Sequence, residues 1–228
     1  SNPGTVIRGL FIDATSIGVQ GLGGLGAEIR TTFISGVEGT LPQAGVEVNP
    51  GSGTEGNLVE GNVIKVPGYY SWGVAVQYGA NRIFGNEIIG GGPGISMGGC
   101  CYQGIDLSVS AAGNQIGGDS AESENVITGF CYGAIWDHTS NHNEVGRNRG
   151  IITSDNFIYG APTAAPTIAK AYPTKVSGTS LPEAKIRVFA TVGNSNGAIE
   201  GFLGEVIAKG SGKWTAPIAA SAVGTYVT

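Results

Sequence analysis

Asn57-Leu58-Val59-Glu60-Gly61-Asn62-Val63-Ile64 is followed by Asn81-Arg82-Ile83-Phe84-Gly85-Asn86-Glu87-Ile88, the same block of the form Asn-x-aliphatic-x-Gly-Asn-x-Ile. Partial copies follow at Asn114-Gln115-Ile116-Gly117-Gly118, at Asn125-Val126-Ile127-Thr128-Gly129 and at Asn143-Glu144-Val145-Gly146-Arg147-Asn148, and a weaker one precedes at Ala27-Glu28-Ile29-Arg30 through Phe33-Ile34-Ser35-Gly36. Between the blocks lie further strand-like runs: Gly45-Val46-Glu47-Val48, Gly73-Val74-Ala75-Val76, Gly104-Ile105-Asp106-Leu107 and Gly133-Ala134-Ile135-Trp136. Each run alternates aliphatic and other residues, as a strand with one buried face does. Gly or Asn between the runs accepts the positive φ that a sharp corner needs.

Sustained helical periodicity is missing from residues 1 to 160, and the corners lack the two-residue primed turns of a hairpin meander. The economical solution is a parallel β-helix, a solenoid in which each repeat is one coil and like strands stack about 4.8 Å apart. Inward Val, Ile and Leu then form ladders, and each coil buries its neighbour. The blocks Asn57 to Ile64, Asn81 to Ile88 and Asn125 to Gly129 resemble the right-handed parallel β-helix repeat of secreted carbohydrate-associated and bacterial cell-surface proteins. The resemblance covers residues 4 to 158. It speaks to fold rather than function, because that shape hosts pectate lyases, epimerases, phage tail spikes and inert stalks alike.

Residues 159–174 break the pattern with three prolines and many small residues and read as a linker. Short antiparallel strands are expected beyond it, at Lys175–Thr179, Lys185–Ala190, Gly201–Ile207, Gly212–Ala216 and Gly224–Thr228, which suggests a β-sandwich. Val176-Ser177-Gly178-Thr179, the strand to Phe189, Phe202-Leu203-Gly204 and Gly212-Lys213-Trp214 resemble the small immunoglobulin-like modules of bacterial surface proteins. Such modules carry one more strand than this segment offers. The expected organisation is thus all-β: a β-helix over 1–158, the linker, and an incomplete immunoglobulin-like sandwich over 175–228. Open ends on both would expose unpaired backbone and make self-assembly through the chain ends an expected mode of partnership, with a plain fragment as the bland alternative.

Of 228 residues, 41 are glycine and 29 are charged, 12 basic and 17 acidic, for a net charge of −5. The apolar share of 41% supports a real core and excludes wholesale disorder. No basic patch exists to release phosphate counterions, so nucleic acid is not an expected partner. No apolar run approaches the roughly 20 residues of a membrane span.

Three cysteines occur, Cys100, Cys101 and Cys131. Aligning Cys101-Tyr102-Gln103-Gly104-Ile105 with Cys131-Tyr132-Gly133-Ala134-Ile135 puts Cys101 and Cys131 at one position of consecutive coils. Stacked neighbours at about 4.8 Å fall inside the disulfide range of about 4.4–6.8 Å. A Cys101–Cys131 disulfide is expected, and with it an oxidising compartment. Reduced ladder cysteines are the alternative, as is a bridge from Cys100 if the register slips by one. Ligand spacing for a metal is absent.

Gly21-Leu22-Gly23-Gly24-Leu25-Gly26 matches the letters of a dinucleotide fingerprint, but the residues after it alternate like a strand, whereas that motif needs a helix. No cofactor is expected. The densest polar cluster is Asp137-His138-Thr139-Ser140-Asn141-His142-Asn143-Glu144, with Arg147 and Arg149 behind it. A β-elimination or epimerisation site would set His138 or His142 with Arg147 beside Asp106 and Asp137. Adjacent positions along one segment do not converge as a hydrolytic triad does, and no residue is assigned a catalytic role. Tyr69, Tyr70 and Trp72 are the candidate carbohydrate-binding residues, with Tyr102, Phe130, Tyr132 and Trp136 on following coils, because aromatic faces suit the apolar side of a pyranose. Packing inside the coil is the competing use of all of them.

The resemblances imply an extracellular or cell-surface structural or adhesive protein, a rigid rod plus a module and a subunit of an extracellular assembly. A polysaccharide-active lyase, hydrolase or epimerase, and a carbohydrate-binding stalk, are the alternatives.

Overall fold

Three- to six-residue runs bounded by glycine and asparagine are too short to nucleate helices and suited to strands. The computed structural model describes residues 4–14, 17–19, 26–35, 43–48, 56–67, 71–91, 103–131, 133–138, 143–151, 158–160, 164–191, 198–219 and 226–227. No helix occurs among them, and the class is all-β with mostly parallel sheets. The chain divides into two units, Ser1–Ala161 and Pro162–Thr228.

In the first unit each pass of the chain feeds three parallel sheets in succession. Sheet 1 stacks Val6–Arg8, Glu28–Arg30, Leu58–Glu60, Arg82–Phe84, Gln115–Ile116 and Glu144–Val145. Sheet 2 stacks Phe11–Asp13, Phe33–Ser35, Val63–Val66, Glu87–Gly90, Asn125–Thr128 and Asn148–Ile151. Sheet 3 stacks Gln43–Val48, Ser71–Val76, Ile105–Leu107, Ile135–Asp137 and Ile158–Tyr159. The strand Glu28–Arg30 stands where a dinucleotide fingerprint would need a helix. Residues 21–25 of that glycine run lie outside the described residues.

The register is set by buried ladders. Ile29, Val59, Ile83 and Ile116 pair in sheet 1, Ile34, Ile64, Ile88 and Ile127 in sheet 2, and Val46, Val74, Ile105 and Ile135 in sheet 3. All twelve are fully buried. Sheets 2 and 3 approach so closely that sheet 3 carries glycine at the contact. A Cβ on Gly45, Gly73 or Gly104 would fall 2.3, 2.1 or 2.2 Å from Cγ2 of Ile64, Ile88 or Ile127.

The asparagines of the repeat, buried except for the half-buried Asn143, form two ladders of their own. In the first, Ala27, Asn57, Asn81 and Asn114 each donate a backbone N–H to Oδ1 of the asparagine one pass on, Asn57, Asn81, Asn114 and Asn143, at 2.9–3.0 Å. In the second, Thr32, Asn62 and Asn86 donate likewise to Asn62, Asn86 and Asn125. The Nδ2 groups of Asn62, Asn86, Asn125 and Asn148 donate back to the Ile29, Val59, Ile83 and Ile116 carbonyls, at 2.8–3.0 Å. Buried corners are thereby hydrogen-bonded, as burial in a low-dielectric interior requires.

Asn114 and Asn125, which look like separate partial repeats in the sequence, are the two corner residues of a single pass. The chain between them runs six residues longer than from Asn57 to Asn62 or from Asn81 to Asn86. The extra residues close on themselves: Ser120 N–H donates to Ser123 Oγ, and Ser123 Oγ–H to the Ser120 carbonyl.

The second unit has two three-stranded antiparallel sheets. Sheet 4 orders Thr167–Tyr172, Lys175–Thr179 and Lys213–Pro217, and sheet 5 orders Gly201–Ile207, Lys185–Thr191 and Tyr226–Val227. A short strand, Ala198–Ile199, precedes Gly201–Ile207. Val176, Trp214 and Ala216 of sheet 4 share one core with Ile186 and Val188 of sheet 5 and with Ala208.

The 159–174 stretch is more structured than a linker. Ile158–Tyr159 belongs to sheet 3, and Thr167–Tyr172 is a full strand paired with Lys175–Thr179. Two of its prolines sit where strands tolerate them, Pro166 just before the strand and Pro173 in the hairpin turn after it, and Pro162 lies outside the described residues.

Candidate functional site

Sheet 3 turns its inward positions to the ladders and its alternate positions outward, and the outward positions carry the chemistry. Asp106 stands in register between Ala75 and Trp136, and Glu47 precedes Ala75 in the same row. Two residues along each strand lie Gln77, Ser108 and His138. Here His138 Nε2 is 3.2 Å from Asp106 Oδ1, and its ring stacks on Trp136 with centroids 4.9 Å apart and planes within 17°. Gln77 Nε2 donates to Glu47 Oε1 at 2.8 Å, and Ser108 Oγ–H donates to the Gln77 carbonyl at 2.8 Å.

Burial pushes the Asp106 carboxyl above its ordinary value of 3.8, and the facing His138 pulls it part of the way back, through its charge and its hydrogen bond. The result is a carboxylate–imidazole pair braced against an indole on an open sheet face. Such a face offers hydrogen-bond donors, acceptors and aromatic surface to a polar, flat-sided ligand. Among the described residues the neighbouring hydroxyl, Ser108, donates to the Gln77 carbonyl.

The structure separates the groups that an elimination or hydrolysis site would need together. Asp137 occupies the inward position of Leu107 and Val76, is 6% exposed, and accepts a hydrogen bond from Asn143 Nδ2 at 3.1 Å. It therefore faces the opposite side of the sheet from Asp106. Arg147 lies between sheets 1 and 2, where its guanidinium donates to the Asp119 carbonyl at 3.2 Å. Arg149 pairs with Glu124 at 3.2 Å. His142 lies outside the described residues.

Of the candidate carbohydrate-binding residues, Tyr69 and Tyr70 lie outside the described residues. Trp72 is half-buried and donates its Nε1–H to Oε1 of the buried Gln103 at 2.6 Å. Phe130 is fully buried and so is packing. Tyr102 and Tyr132 also lie outside the described residues, and Trp136 is on the outward face of sheet 3. Cys131 is disulfide-bonded. Cys100 and Cys101 lie outside the described residues, and the register that the alignment assumed, Ile105 against Ile135, is present.

The Asp106–His138 pair was readable from the alignment that sets Asp106 beside Trp136, since period-two alternation then makes His138 an outward neighbour and Asp137 an inward one. The sequence reading set both Asp106 and Asp137 beside His138, and the structure keeps Asp106 there while Asp137 faces inward. Among the described residues no cluster of three or more His, Cys, Asp or Glu has the placement to hold a metal ion, and no helix is long and apolar enough to cross a membrane. Comparison with protein-family models, with curated proteins and with solved structures finds no match to this chain.

Proposed function

We propose that the chain is a structural or adhesive element of an extracellular or cell-surface assembly: a right-handed parallel β-helix rod followed by an immunoglobulin-like module. The observation that carries this reading is the pair of asparagine ladders, which link successive passes by side chains devoted wholly to register. A fold that spends buried asparagines on stacking one pass on the next is suited to bearing load or presenting surface. Three aliphatic ladders running beside the asparagines add stiffness along the stacking direction.

The outermost strands, Val6–Arg8 and Phe11–Asp13, have one paired neighbour each among the described residues, and Val6, Leu10 and Phe11 are exposed there. Stacking of a second copy on this edge is the assembly mode we propose. Negative-stain imaging of the natively purified protein, with intact mass on the same sample, tests it. Filaments or regular arrays are the expected result. Monodisperse single particles at high concentration would overturn the assembly reading.

A second reading, a carbohydrate-binding stalk, is favoured by the outward Asp106, Trp136 and His138. It predicts retention of the protein on an immobilised polysaccharide and loss of that retention in Trp136→Ala. Equal retention of the variant would sink it. The polysaccharide-active alternative gains no support, because Asp137 and Arg147 do not join Asp106 and His138.

A further inference from the structure

The asparagine ladders stop at one joint in the stack. Where the third pass carries Asn57 and Asn62, the second pass has Ala27 and Thr32. Ala27 has no side-chain oxygen to receive an amide of the first pass. Thr32 is 1% exposed, and its hydroxyl donates to the Arg30 carbonyl of its own pass at 3.1 Å. The Nδ2 groups of Asn62 and Asn86 instead reach the Ile29 and Val59 carbonyls of the pass before. The joint between the first pass, Val6–Arg8 with Phe11–Asp13, and the second thus lacks the rungs found at the joints that follow.

Two further features weaken this joint. Arg8 stands in register with Arg30, a like charge, while Arg30 gives its guanidinium to Glu28 of its own pass and to Glu60 of the next. In sheet 3 the first pass contributes a single bridge, Val19 to Val46, where the later passes contribute strands. The pass is held by backbone pairing, by Ile7 in register with Ile29 and Ile12 with Ile34, and by the Phe11 ring. That ring stacks on Phe33 with centroids 5.0 Å apart and planes within 8°. Stability in a stack of repeats is close to a sum of repeat and joint contributions, so the joint with the fewest side-chain bonds opens first.

We propose that the first pass opens from the second as a unit and is exchanged between copies of this chain. The proposal rests on the assembly reading: stacking at the outer edge brings two first passes together, and exchange then links the copies. The occupant is fixed by fit. A first pass from a second copy meets Glu28–Arg30 and Phe33–Ser35 in the register, with the isoleucine pairs and aromatic stack, of the resident one. Exchange of identical elements needs no new complementarity, which makes it a low-cost route to association.

Hydrogen exchange on the intact chain, diluted until dispersed, tests the opening. The Gly9, Ala14, Glu28 and Phe33 amides bond across the first joint, and those of Thr31, Leu58 and Val63 across the second. Protection at the first joint is expected to be lower by about tenfold or more, and equal protection would overturn the proposal. Ala27→Asn/Thr32→Asn supplies the missing rungs, and Thr32→Asn alone carries the comparison if the pair does not fold. Either is expected to raise first-joint protection by about tenfold and to cut the assembled material seen by negative stain to a similar degree. Unchanged protection in the folded variant would overturn the proposal. Raised protection with undiminished assembly would sink exchange and leave stacking standing. Absence of assembly in both proteins would sink the assembly reading and exchange with it.

Discussion

In the parallel unit the corner asparagines accept and donate in turn, from Asn62 Nδ2 on the Ile29 carbonyl up to Asn148 Nδ2 on the Ile116 carbonyl. The antiparallel unit aligns its strands through hairpin turns and backbone pairing, and it leaves Trp214 Nε1 unsatisfied in its core. The difference lies in where register comes from. Antiparallel neighbours inherit theirs from a short turn, as Thr167–Tyr172 and Lys175–Thr179 do across Pro173-Thr174. Parallel neighbours are joined by long connections that leave the alignment open, so side chains must supply it. The asparagine ladders are that supply.

Breaking a rung is the most damaging way to test this contrast. Asn86→Ala removes the acceptor of Asn62 N–H and the donor to the Val59 carbonyl, both buried. A loss of about 3–5 kcal/mol is expected in unfolding, read by urea denaturation, and an unchanged midpoint would contradict the role of the ladder. Gly73→Ala tests the close approach of sheets 2 and 3. Its new Cβ meets Ile88 Cγ2 and the Gly104 carbonyl, and an overpacking cost of about 1–3 kcal/mol should appear in the same transition.

A smaller effect concerns Asp106, whose folded-state carboxyl is raised by burial. Between the ordinary value of 3.8 and that raised value, the folded protein holds the proton while the unfolded chain has released it. Stability attributable to this group is therefore full below the window and is lost as pH rises through it. Asp106→Asn should flatten that slope in urea midpoints taken from acid to neutral pH, and an unchanged slope would contradict the assignment. The least effect is expected in the second unit. Arg187 and Glu205 pair across strands at 2.9 Å near the surface, and Glu205→Ala should cost about 0–1 kcal/mol by thermal unfolding.

Much of the first unit is legible in its sequence because one signal serves two purposes there. Asn57 and Asn62 mark the corners and also make the bonds that align them, so the block that repeats is the block that holds. Where an insertion separates the two corners, as between Asn114 and Asn125, the repeat fragments on paper while the ladder continues in space. The candidate site was harder to read. Side-chain direction is a matter of parity along each strand, and Asp106, His138 and Asp137 sort to opposite faces only once the alignment of Ile105 with Ile135 is taken seriously. The prolines at 166 and 173 misled for a related reason: they punctuate a hairpin as readily as a connector. Nothing in the letters around Trp214 announces that its nitrogen goes unpaired.

The six extra residues between Asn114 and Asn125 carry one more consequence. The ladders hold only the two anchoring amides and are indifferent to the length of chain that joins them. That corner is therefore a place where the molecule can be lengthened at little thermodynamic expense, since loop closure grows only by about 0.6 kcal/mol for each doubling. A foreign epitope spliced between Gly118 and Glu124 would be displayed at a defined height along the stack, and the same tolerance would let natural variants alter this corner's outline while the scaffold beneath stays constant.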